Sequence, residues 1–267
     1  MADRDAGKDF VESIARGLDV VRCFGADRPR MSLSDVASAT GLARPTARRI
    51  LITLEELGYV RSQDGGFTLT ARVLELGMAY VHAQGLWALA RPHMEDLVAR
   101  THESSSIAQL DGSDIVYVAR VAVPKIITFA VSIGTRFPAL QTSLGKVLLA
   151  GLDPAELADV LAQPSRSGIT PRWQPDDDER DAALRQVRAR GWAMADEDLA
   201  PGIRSIAVPL RDGAGTVVAA LNTTGHAAET SREVLVDQHL PRLLEAASAV
   251  GADIALHDEV PHLRAAT

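Results

Sequence analysis

The chain has 267 residues, of which 46% are hydrophobic and 24% charged, so it is long enough to bury two domain-sized cores. Cys23 is its only cysteine, which excludes a disulfide framework or a cysteine-based metal site within one chain. No apolar run reaches the roughly 18 residues of a membrane span, and the first residues contain no hydrophobic signal segment. These features predict a two-domain cytoplasmic protein that has no membrane partner.

Charge is distributed unevenly along the chain, whose formal net charge is −7. Residues 10–72 contain nine basic and seven acidic side chains, a net charge of +2, whereas residues 73–267 contain 17 basic and 25 acidic side chains, a net charge of −8. A domain this mildly basic binds DNA weakly as a single copy, because phosphate contacts dominate such affinity. We therefore expect two such domains to act on one site, in a homodimer or tetramer.

The first part of the chain predicts three helices. Residues 10–24 carry apolar side chains at helical spacing, and we expect this helix to pack behind the third one. Ser32 and Asp35 have the spacing of a capping box, which predicts a second helix that ends at Gly41. Pro45 suits the first turn of a third helix, which runs to Leu57. The apolar positions of the first helix are Val11, Ile14, Leu18, Val21 and Phe24.

The polar residues of the third helix fall off its apolar stripe, as in a helix that reads a DNA groove. Residues 59–69 follow as two β runs joined by the turn Asp64-Gly65-Gly66, which predicts a wing. A solvated basic helix carries similar residues, but the order of capped helix, glycine turn, Arg/Thr helix and hairpin favours a winged helix-turn-helix. Guanidiniums suit guanine edges and phosphates, and hydroxyls suit the backbone. The predicted DNA-binding residues are Arg44, Thr46, Arg48, Arg49, Thr53 and Arg61.

The rest of the chain predicts a helix over residues 73–84, another over 86–101, and then a change to strand periodicity. The apolar surface of the first of these helices indicates a dimerisation helix, with packing on its own domain as the alternative. Residues 134–138 are predicted as a loop. Further helices begin near residues 142, 153 and 176, and a last helix spans 231–257. Predicted strands cover residues 104–110, 114–123, 126–133, 192–196, 203–210 and 216–224. This order predicts an α+β domain with a mostly antiparallel sheet.

Several of these segments resemble one family. Thr40-Gly41-Leu42 and Leu57-Gly58-Tyr59-Val60 look like the winged-helix domain of the IclR family of bacterial transcription regulators. Residues 191–197 and 201–207 resemble the signature of that family's effector-binding part, which has a GAF-like fold. The likeness covers about residues 10–255. It implies a winged helix-turn-helix DNA-binding domain at 10–72, a linking dimerisation helix at 73–85 and an effector-binding domain at 86–258.

Few residues point to catalysis. Ser143 and Lys146 match the Ser-x-x-Lys of penicillin-binding enzymes, but the chain lacks the accompanying Lys-Thr-Gly and Ser-Asp-Asn motifs. The four acidic residues 176–179 stand at the start of a helix, where their negative charges interact favourably with the positive end of its dipole. The seven histidines form no metal-binding pair beside a carboxylate. We predict no enzyme activity, no metal and no cofactor; a serine-lysine hydrolase-like enzyme and a ligand-binding module without operator binding remain the alternatives.

A binding pocket is the remaining possibility. The start of the helix at Ser143 has free backbone N–H groups and a partial positive charge, which together favour the binding of a carboxylate. Ser205, Asn222 and Thr224 interrupt apolar strands, where a ligand or structural hydrogen bonds satisfy them equally well. The resemblance favours the ligand, because positions that match several of these residues line the effector cavity in IclR-type domains. The predicted effector-binding residues are Thr142, Ser143, Leu144, Gly145, Ala195, Ser205, Asn222 and Thr224.

The identity of the effector is suggested only by resemblance. Family members that bind small oxo-acids have an acid where this chain has Ala195, and the smaller residue leaves volume for a larger ligand. Residues 196–209 are similar to the branch that controls protocatechuate and 4-hydroxybenzoate catabolism. We therefore expect a regulator of double-stranded operator DNA whose effector is a small aromatic acid or an oxo-acid. Its binding is expected to shift the arrangement of the dimer through the helix at 73–84.

Overall fold

The computed structural model describes residues 9–25, 27–77, 85–124 and 131–256. The chain divides into two compact units, Met1–His82 and Ala83–Thr267, each with its own hydrophobic core. Within the described ranges, no helix has the length and hydrophobicity that a membrane span requires.

The first unit is a winged helix-turn-helix, as predicted. Three helices pack around a small core, and a three-stranded antiparallel sheet in the order β1-β3-β2 forms the wing. Strand β1 was not predicted, because its two residues are too short to show a period of two. Residues 73–77 are helical. The elements are α1 (Glu12–Arg22), β1 (Arg30–Met31), α2 (Leu33–Thr40), α3 (Arg44–Glu56), β2 (Val60–Gln63) and β3 (Gly66–Leu69).

The turn between α2 and α3 forms as the sequence predicts. The Ser32 hydroxyl accepts a hydrogen bond from the Asp35 amide at 3.2 Å, and the Asp35 carboxylate accepts one from the Ser32 amide at 2.9 Å. This reciprocal cap fixes the start of α2. Gly41 ends the helix with φ 68°, a left-handed conformation that glycine adopts without a steric penalty. The next helix starts at Arg44, with Pro45 in its first turn.

The first helix packs against α3, as predicted, but only part of its predicted apolar stripe reaches the shared core. Ile14 and Leu18 are 62% and 52% exposed, whereas Val20 is fully buried and Phe24 nearly so. Val20, which is not part of the predicted stripe, therefore contacts the core, and Phe24 of the stripe does so from beyond the end of α1. Helical periodicity identifies an apolar stripe but does not say how much of it the rest of the domain covers. Most of the predicted dimerisation helix, residues 78–84, lies outside the described residues.

The second unit is the predicted α+β domain. Its six strands form one antiparallel sheet in the order β6-β5-β4-β9-β8-β7. The helices are α4 (Leu86–Thr101), α5 (Ser143–Ala150), α6 (Pro154–Ala162), α7 (Asp177–Arg190) and α8 (Leu240–Leu256). The strands are β4 (Ser104–Asp111), β5 (Asp114–Val121), β6 (Arg136–Pro138), β7 (Ala193–Asp196), β8 (Ile203–Arg211) and β9 (Val217–His226).

Two predicted elements of this unit differ from the structure. Most of the strand predicted at 126–133 lies outside the described residues, and 131–133 are not in a strand. The segment predicted as a loop contains β6, which pairs with β5 at the edge of the sheet. Its Pro138 is tolerated there because an edge strand leaves one row of amides unpaired. The last helix is interrupted, since a π-helical turn at Leu235–His239 separates the short segment Arg232–Val234 from α8.

The two faces of the sheet are covered differently. The outer face packs on α4 and α8 and carries large buried side chains such as Ile107, Ile206 and Leu221. The inner face packs on α5 and carries small residues such as Ala108 and Ala220. Successive residues of a strand point to opposite faces, so the same strands build both surfaces. These small residues pack against α5, and the cavity lies beyond them, at Ser104, Asn222 and Thr224 of the same face.

Candidate functional site

Helix α3 presents the predicted DNA-binding residues to solvent. Arg44, Arg48, Arg49 and Thr53 are exposed, and Thr46 is half-buried, while Ala47 and Leu51 on the opposite side are fully buried. The Thr53 hydroxyl donates to the Arg49 carbonyl at 2.9 Å, so its donor is used within the helix. Arg61 is exposed on β2 of the wing.

The guanidiniums of α3 are available for contacts outside the protein. Among the residues that the structure describes, none forms a hydrogen bond or ion pair with the guanidinium group of Arg44, Arg48 or Arg49. A cation held inside the subunit could not enter a DNA groove. These three side chains therefore meet the geometric requirement for contacts with base edges or phosphates.

Two further residues set the position of the wing, and the sequence reading missed both. The Glu55 carboxylate accepts a hydrogen bond from the Ser62 amide at 2.9 Å, which joins α3 to β2. The Arg30 guanidinium donates to the carbonyl oxygens of Gln63 and Asp64, each at 2.7 Å, and so holds the tip of the wing. Contacts between residues this far apart along the chain leave no signal in local periodicity.

The second unit contains a cavity of about 810 Å³, a volume that includes the space at its mouth. It lies between the inner face of the sheet, the turn before α5 and the segment between β7 and β8. Five of the predicted effector residues line it, namely Thr142, Ala195, Ser205, Asn222 and Thr224. Other lining residues are Glu103, Ser104, Tyr117, Arg120, Val123, Val131, Phe137, Gln141, Leu199, Gly202, Ile203, Gly225 and His226.

Strand register places the polar residues of the inner face in two adjacent rows. Ser106 pairs with Arg120 on one side and with Asn222 on the other. Thr224 pairs with Ser104 and with Ser205, and Ser205 pairs with Ala195. The side-chain amide of Asn222 accepts a hydrogen bond from the backbone N–H of Ser106 at 3.0 Å and donates one to the Thr224 hydroxyl at 2.9 Å. Asn222 and Thr224 are therefore both cavity residues and members of a structural network.

Arg120 is the cationic side chain of this cavity, and the sequence reading missed it. Its guanidinium donates to the Ser106 hydroxyl at 3.0 Å, and within the described ranges no carboxylate forms an ion pair with it. Burial lowers the pKa of Arg120, because removal from water disfavours the charged form. A half-buried guanidinium in a cavity favours an anionic ligand. Tyr117 lies beside it, and burial raises the pKa of its phenol to about 12, so the phenol keeps its proton.

Three predicted effector residues do not line the cavity. Ser143, Leu144 and Gly145 are buried at the start of α5. The Thr142 hydroxyl caps that helix by accepting from the Gly145 amide at 2.9 Å, so part of the predicted carboxylate seat is already occupied by the protein. The Ser143 hydroxyl lies 2.7 Å from the Ser205 hydroxyl and reaches the cavity only through it.

The Ser-x-x-Lys pair has no catalytic geometry. The ammonium of Lys146 lies 2.5 Å from the Asp198 carboxylate and 3.2 Å from the Met194 carbonyl oxygen. Ser143 is instead hydrogen-bonded to Ser205. A serine nucleophile needs a base within hydrogen-bond reach, and the lysine of this motif is committed elsewhere. In the described part of the chain, no cluster of histidine, cysteine, aspartate or glutamate could hold a metal ion.

Asp196 stabilises the end of β7 next to the cavity. Its carboxylate accepts from Arg204 at 2.5 Å and is also paired with Arg232. Burial by itself raises the pKa of Asp196, but the hydrogen bonds from the two arginines outweigh it and lower the pKa. Arg204 also donates to the carbonyl oxygens of Ala227 and Thr230. This network joins β7 to the segment that follows β9.

Comparison with known proteins gives matches over both units. A family model described as "IclR helix-turn-helix domain" matches residues 13–64, and one described as "Bacterial transcriptional regulator IclR C-terminal" matches residues 78–252. The Pca regulon regulatory protein of Pseudomonas putida is 38% identical over 239 residues, which cover 89% of this chain and 82% of that protein.

Solved structures agree with this assignment. A transcriptional regulator from Rhodococcus sp. RHA1 shares 48% identity, with a TM-score of 0.81 over 92% of this chain and 99% of that one. An IclR homologue from Microbacterium hydrocarbonoxydans, solved in complex with 4-hydroxybenzoate, shares 26% identity, with a TM-score of 0.79 over 91% of this chain and 99% of that one. With the exposed arginines of α3 and the cavity of the second unit, these matches show that the chain belongs to the IclR family of bacterial transcription regulators.

Proposed function

We propose that this regulator binds operator DNA through α3 and the wing, under the control of a small aromatic carboxylate held in the cavity of its second unit. The observation that carries the effector class is Arg120, a cavity guanidinium that is hydrogen-bonded to a neutral serine. A ligand carboxylate pairs with this guanidinium through charge-assisted hydrogen bonds. Arg120 thus takes the carboxylate-binding role that the sequence alone had favoured for the start of α5.

The rest of the cavity suits an aromatic ring. Tyr117 and Phe137 meet edge to face, with ring centroids 5.7 Å apart, and both line the cavity. Val123, Val131 and Leu199 add further apolar surface. A flat ring fits such a wall better than a two- or three-carbon oxo-acid, which leaves most of the apolar lining in contact with water. The relatives named above support an aromatic acid, since one was solved with 4-hydroxybenzoate.

Calorimetric titration of the purified protein tests the effector class. We expect 4-hydroxybenzoate and protocatechuate to bind, and pyruvate and glyoxylate to bind far more weakly. Arg120→Met should weaken the affinity for the aromatic acids by about 10- to 100-fold, the usual contribution of a hydrogen bond to a charged group. The control is Arg91→Met, which removes an exposed guanidinium from α4. Equal affinity of the wild-type protein and Arg120→Met would reject this seat.

The DNA-binding role is tested on the DNA upstream of the protein's own gene. Footprinting should show a protected pseudo-palindrome, and Arg49→Ala should weaken its binding by about 10- to 100-fold, as expected for the loss of a base contact. Arg22→Ala removes an exposed guanidinium from α1 and serves as the matched control. A ligand-binding module without operator binding predicts no footprint at all.

We further propose that the operator-binding form is a homodimer or tetramer. The exposed stripe of α1 supports this, since Ile14 and Leu18 are more than half exposed and line an apolar groove with Leu57 and Leu76. Contiguous apolar surface of this kind marks an interaction site. Sedimentation velocity should show a smaller species for the double variant Ile14→Glu/Leu18→Glu. An unchanged sedimentation coefficient would place the interface elsewhere.

We propose that Ser143 is not a nucleophile. Its hydroxyl contacts Ser205, and the ammonium of Lys146 contacts Asp198 and Met194. Incubation with an acylating fluorophosphonate or β-lactam probe should leave Ser143 unlabelled in intact-mass spectra. Stoichiometric labelling that disappears in Ser143→Ala would favour the serine-lysine enzyme instead.

A further inference from the structure

One wall of the effector cavity is a six-residue segment between β7 and β8, residues 197–202, which we call the strap. Leu199 and Gly202 of the strap line the cavity. The two ends of the strap, Glu197 and Gly202, have φ values of 61° and 78°, so the chain turns out of β7 and back into β8. The imidazole of His226 lies 2.7 Å from the place where a Cβ at position 202 would be, so the strap lies directly against the end of β9.

The strap is held from outside by a segment without regular secondary structure. The Trp173 amide donates to the Asp198 carbonyl oxygen at 2.8 Å, and the Arg172 amide donates to the Leu199 carbonyl oxygen at 3.3 Å. The side chain of Gln141, which lines the cavity, donates to the Trp173 carbonyl oxygen at 3.1 Å. Strap and outer segment therefore form one layer over the cavity.

Lys146 joins this layer to the rigid part of the domain. Its side chain is only 10% exposed, and its ammonium contacts the Asp198 carboxylate of the strap and the Met194 carbonyl oxygen of β7. The same ammonium lies 4.5 Å from the centroid of the Trp173 ring. One cation on α5 thus contacts the strap, the strand before it and the outer segment. The second ion pair of this layer, Arg172 with Glu197, is largely exposed and so contributes less.

We propose that Lys146 is a positioning residue that keeps the strap closed over the cavity and thereby sets how fast an effector leaves. This inference rests on the proposed effector function of the cavity. Lys146 itself is not a lining residue, so it acts on the ligand through Asp198 and Trp173. The sequence contained the lysine only as part of a motif that resembles an enzyme's, and this role accounts for its burial without a catalytic step.

Hydrogen–deuterium exchange of the ligand-free protein tests the strap by itself. Lys146→Met should speed exchange at the amides of Arg172 and Trp173 by at least about tenfold, because local opening exposes them to solvent. Amides of β4 and β9 should exchange as in the wild-type protein. The matched control is Arg91→Met, since Arg91 also pairs with a carboxylate and lies over a tryptophan ring, but on α4. Unchanged exchange at Arg172 and Trp173 would overturn the proposal.

Release of bound 4-hydroxybenzoate tests the consequence for the effector. Stopped-flow measurements should show an off-rate at least about tenfold higher in Lys146→Met, with a smaller change in on-rate. Asp198→Asn should have a similar effect, and the double variant should release the ligand no faster than either single variant, because both act through one contact. Lys146→Arg keeps the cation and should recover part of the slow release. Strictly additive effects of the two single variants would reject the contact as the cause.

The two experiments fail in different ways. A wild-type protein that binds no aromatic acid refutes the proposed function, and the exchange experiment still decides whether Lys146 holds the strap. A protein that binds 4-hydroxybenzoate but releases it at the same rate with and without Lys146 refutes the strap and leaves the effector class standing.

Discussion

The two faces of the six-stranded sheet differ in side-chain size although the same strands supply both. The outer face carries Ile107, Val208 and Leu221, all fully buried beneath α4 and α8. At neighbouring positions of the same strands, the inner face carries Ala108 and Ala207. The outer face provides burial that stabilises the domain, whereas the inner face packs on α5 through its alanines and lines the cavity with Ser205, Asn222 and Thr224. Because alternate residues of a strand face opposite ways, stability and ligand binding can change separately.

The largest expected effect is on the outer face. Leu221→Ala removes a fully buried side chain that pairs across the sheet with Ile107 and Val208. It should lower the free energy of unfolding by about 2–5 kcal/mol, the usual cost of a core cavity. Urea denaturation followed by circular dichroism measures this change. The affinity of the folded protein for 4-hydroxybenzoate should remain as in the wild-type protein, and a parallel loss of affinity would show that the two faces are coupled.

The same substitution on the two faces sharpens the comparison. Ala219→Leu adds volume to the filled outer face, where Ala219 is fully buried opposite Leu210, and should cost about 1–3 kcal/mol of stability. Ala195→Leu adds the same volume at the cavity wall, where space exists. It should change stability by less than about 1 kcal/mol but weaken 4-hydroxybenzoate binding by about tenfold or more. Thermal unfolding and calorimetry measure the two quantities, and equal destabilisation would contradict an open inner face.

Removal of a buried hydroxyl should lower the stability of the domain on the inner face and raise it on the outer face. Ser205→Ala leaves the fully buried Ser143 hydroxyl without its partner and should cost about 1 kcal/mol or more. The double variant Ser143→Ala/Ser205→Ala should recover part of that loss. On the outer face, the Thr223 hydroxyl is buried and has no hydrogen-bond partner within the described ranges. Thr223→Val should therefore raise the midpoint of thermal unfolding, and a lower midpoint would show that the hydroxyl does have a partner.

The smallest expected effect is a pH-dependent change in stability that involves Asp196. The pKa of Asp196 is lowered in the folded protein, so its contribution to stability is present above its ordinary value of 3.8 and is lost as pH falls through the lowered value. Asp196→Asn should therefore be less stable than the wild-type protein at pH 7, and the difference should shrink as the pH falls below 3.8. Asp159→Asn, at an exposed position of α6, controls for loss of a charge. A difference that stays constant with pH would rule out the ion pairs as its cause.

Most of the winged helix could be predicted because its signals are local. The cap at Ser32, the turn at Gly41 and the hairpin at Asp64-Gly65 each depend on residues a few positions apart, and the structure contains all three. The exposure of Arg44, Arg48 and Arg49 follows from helical period alone. The exposure of Ile14 and Leu18 could not be predicted in the same way, because only the partner surface decides how much of an apolar stripe is covered.

The cavity was predictable only in part. Ser205, Asn222 and Thr224 attract notice because polar residues interrupt apolar strands, and the structure brings them together. Arg120 could not be found, since an arginine at an alternating position of a strand is ordinary on an exposed face. The register of β5 on β4 places it beside Ser106 and turns it into the cavity. The start of α5 looked open in sequence, but Thr142 caps it.

The sequence by itself predicted most of the elements, the α+β class and the winged helix, because caps, turns and periodicity act over a few residues. Its motifs also showed the resemblance to the family. Only the tertiary structure decided which side chains meet. The contact of Arg120 with Ser106 depends on strand register, and the contact of Lys146 with Asp198 depends on packing between segments 52 residues apart. Local sequence patterns carry no information over such a separation. The proposed effector site therefore depends on contacts between distant segments, whereas the three arginines proposed to contact DNA lie on one helix.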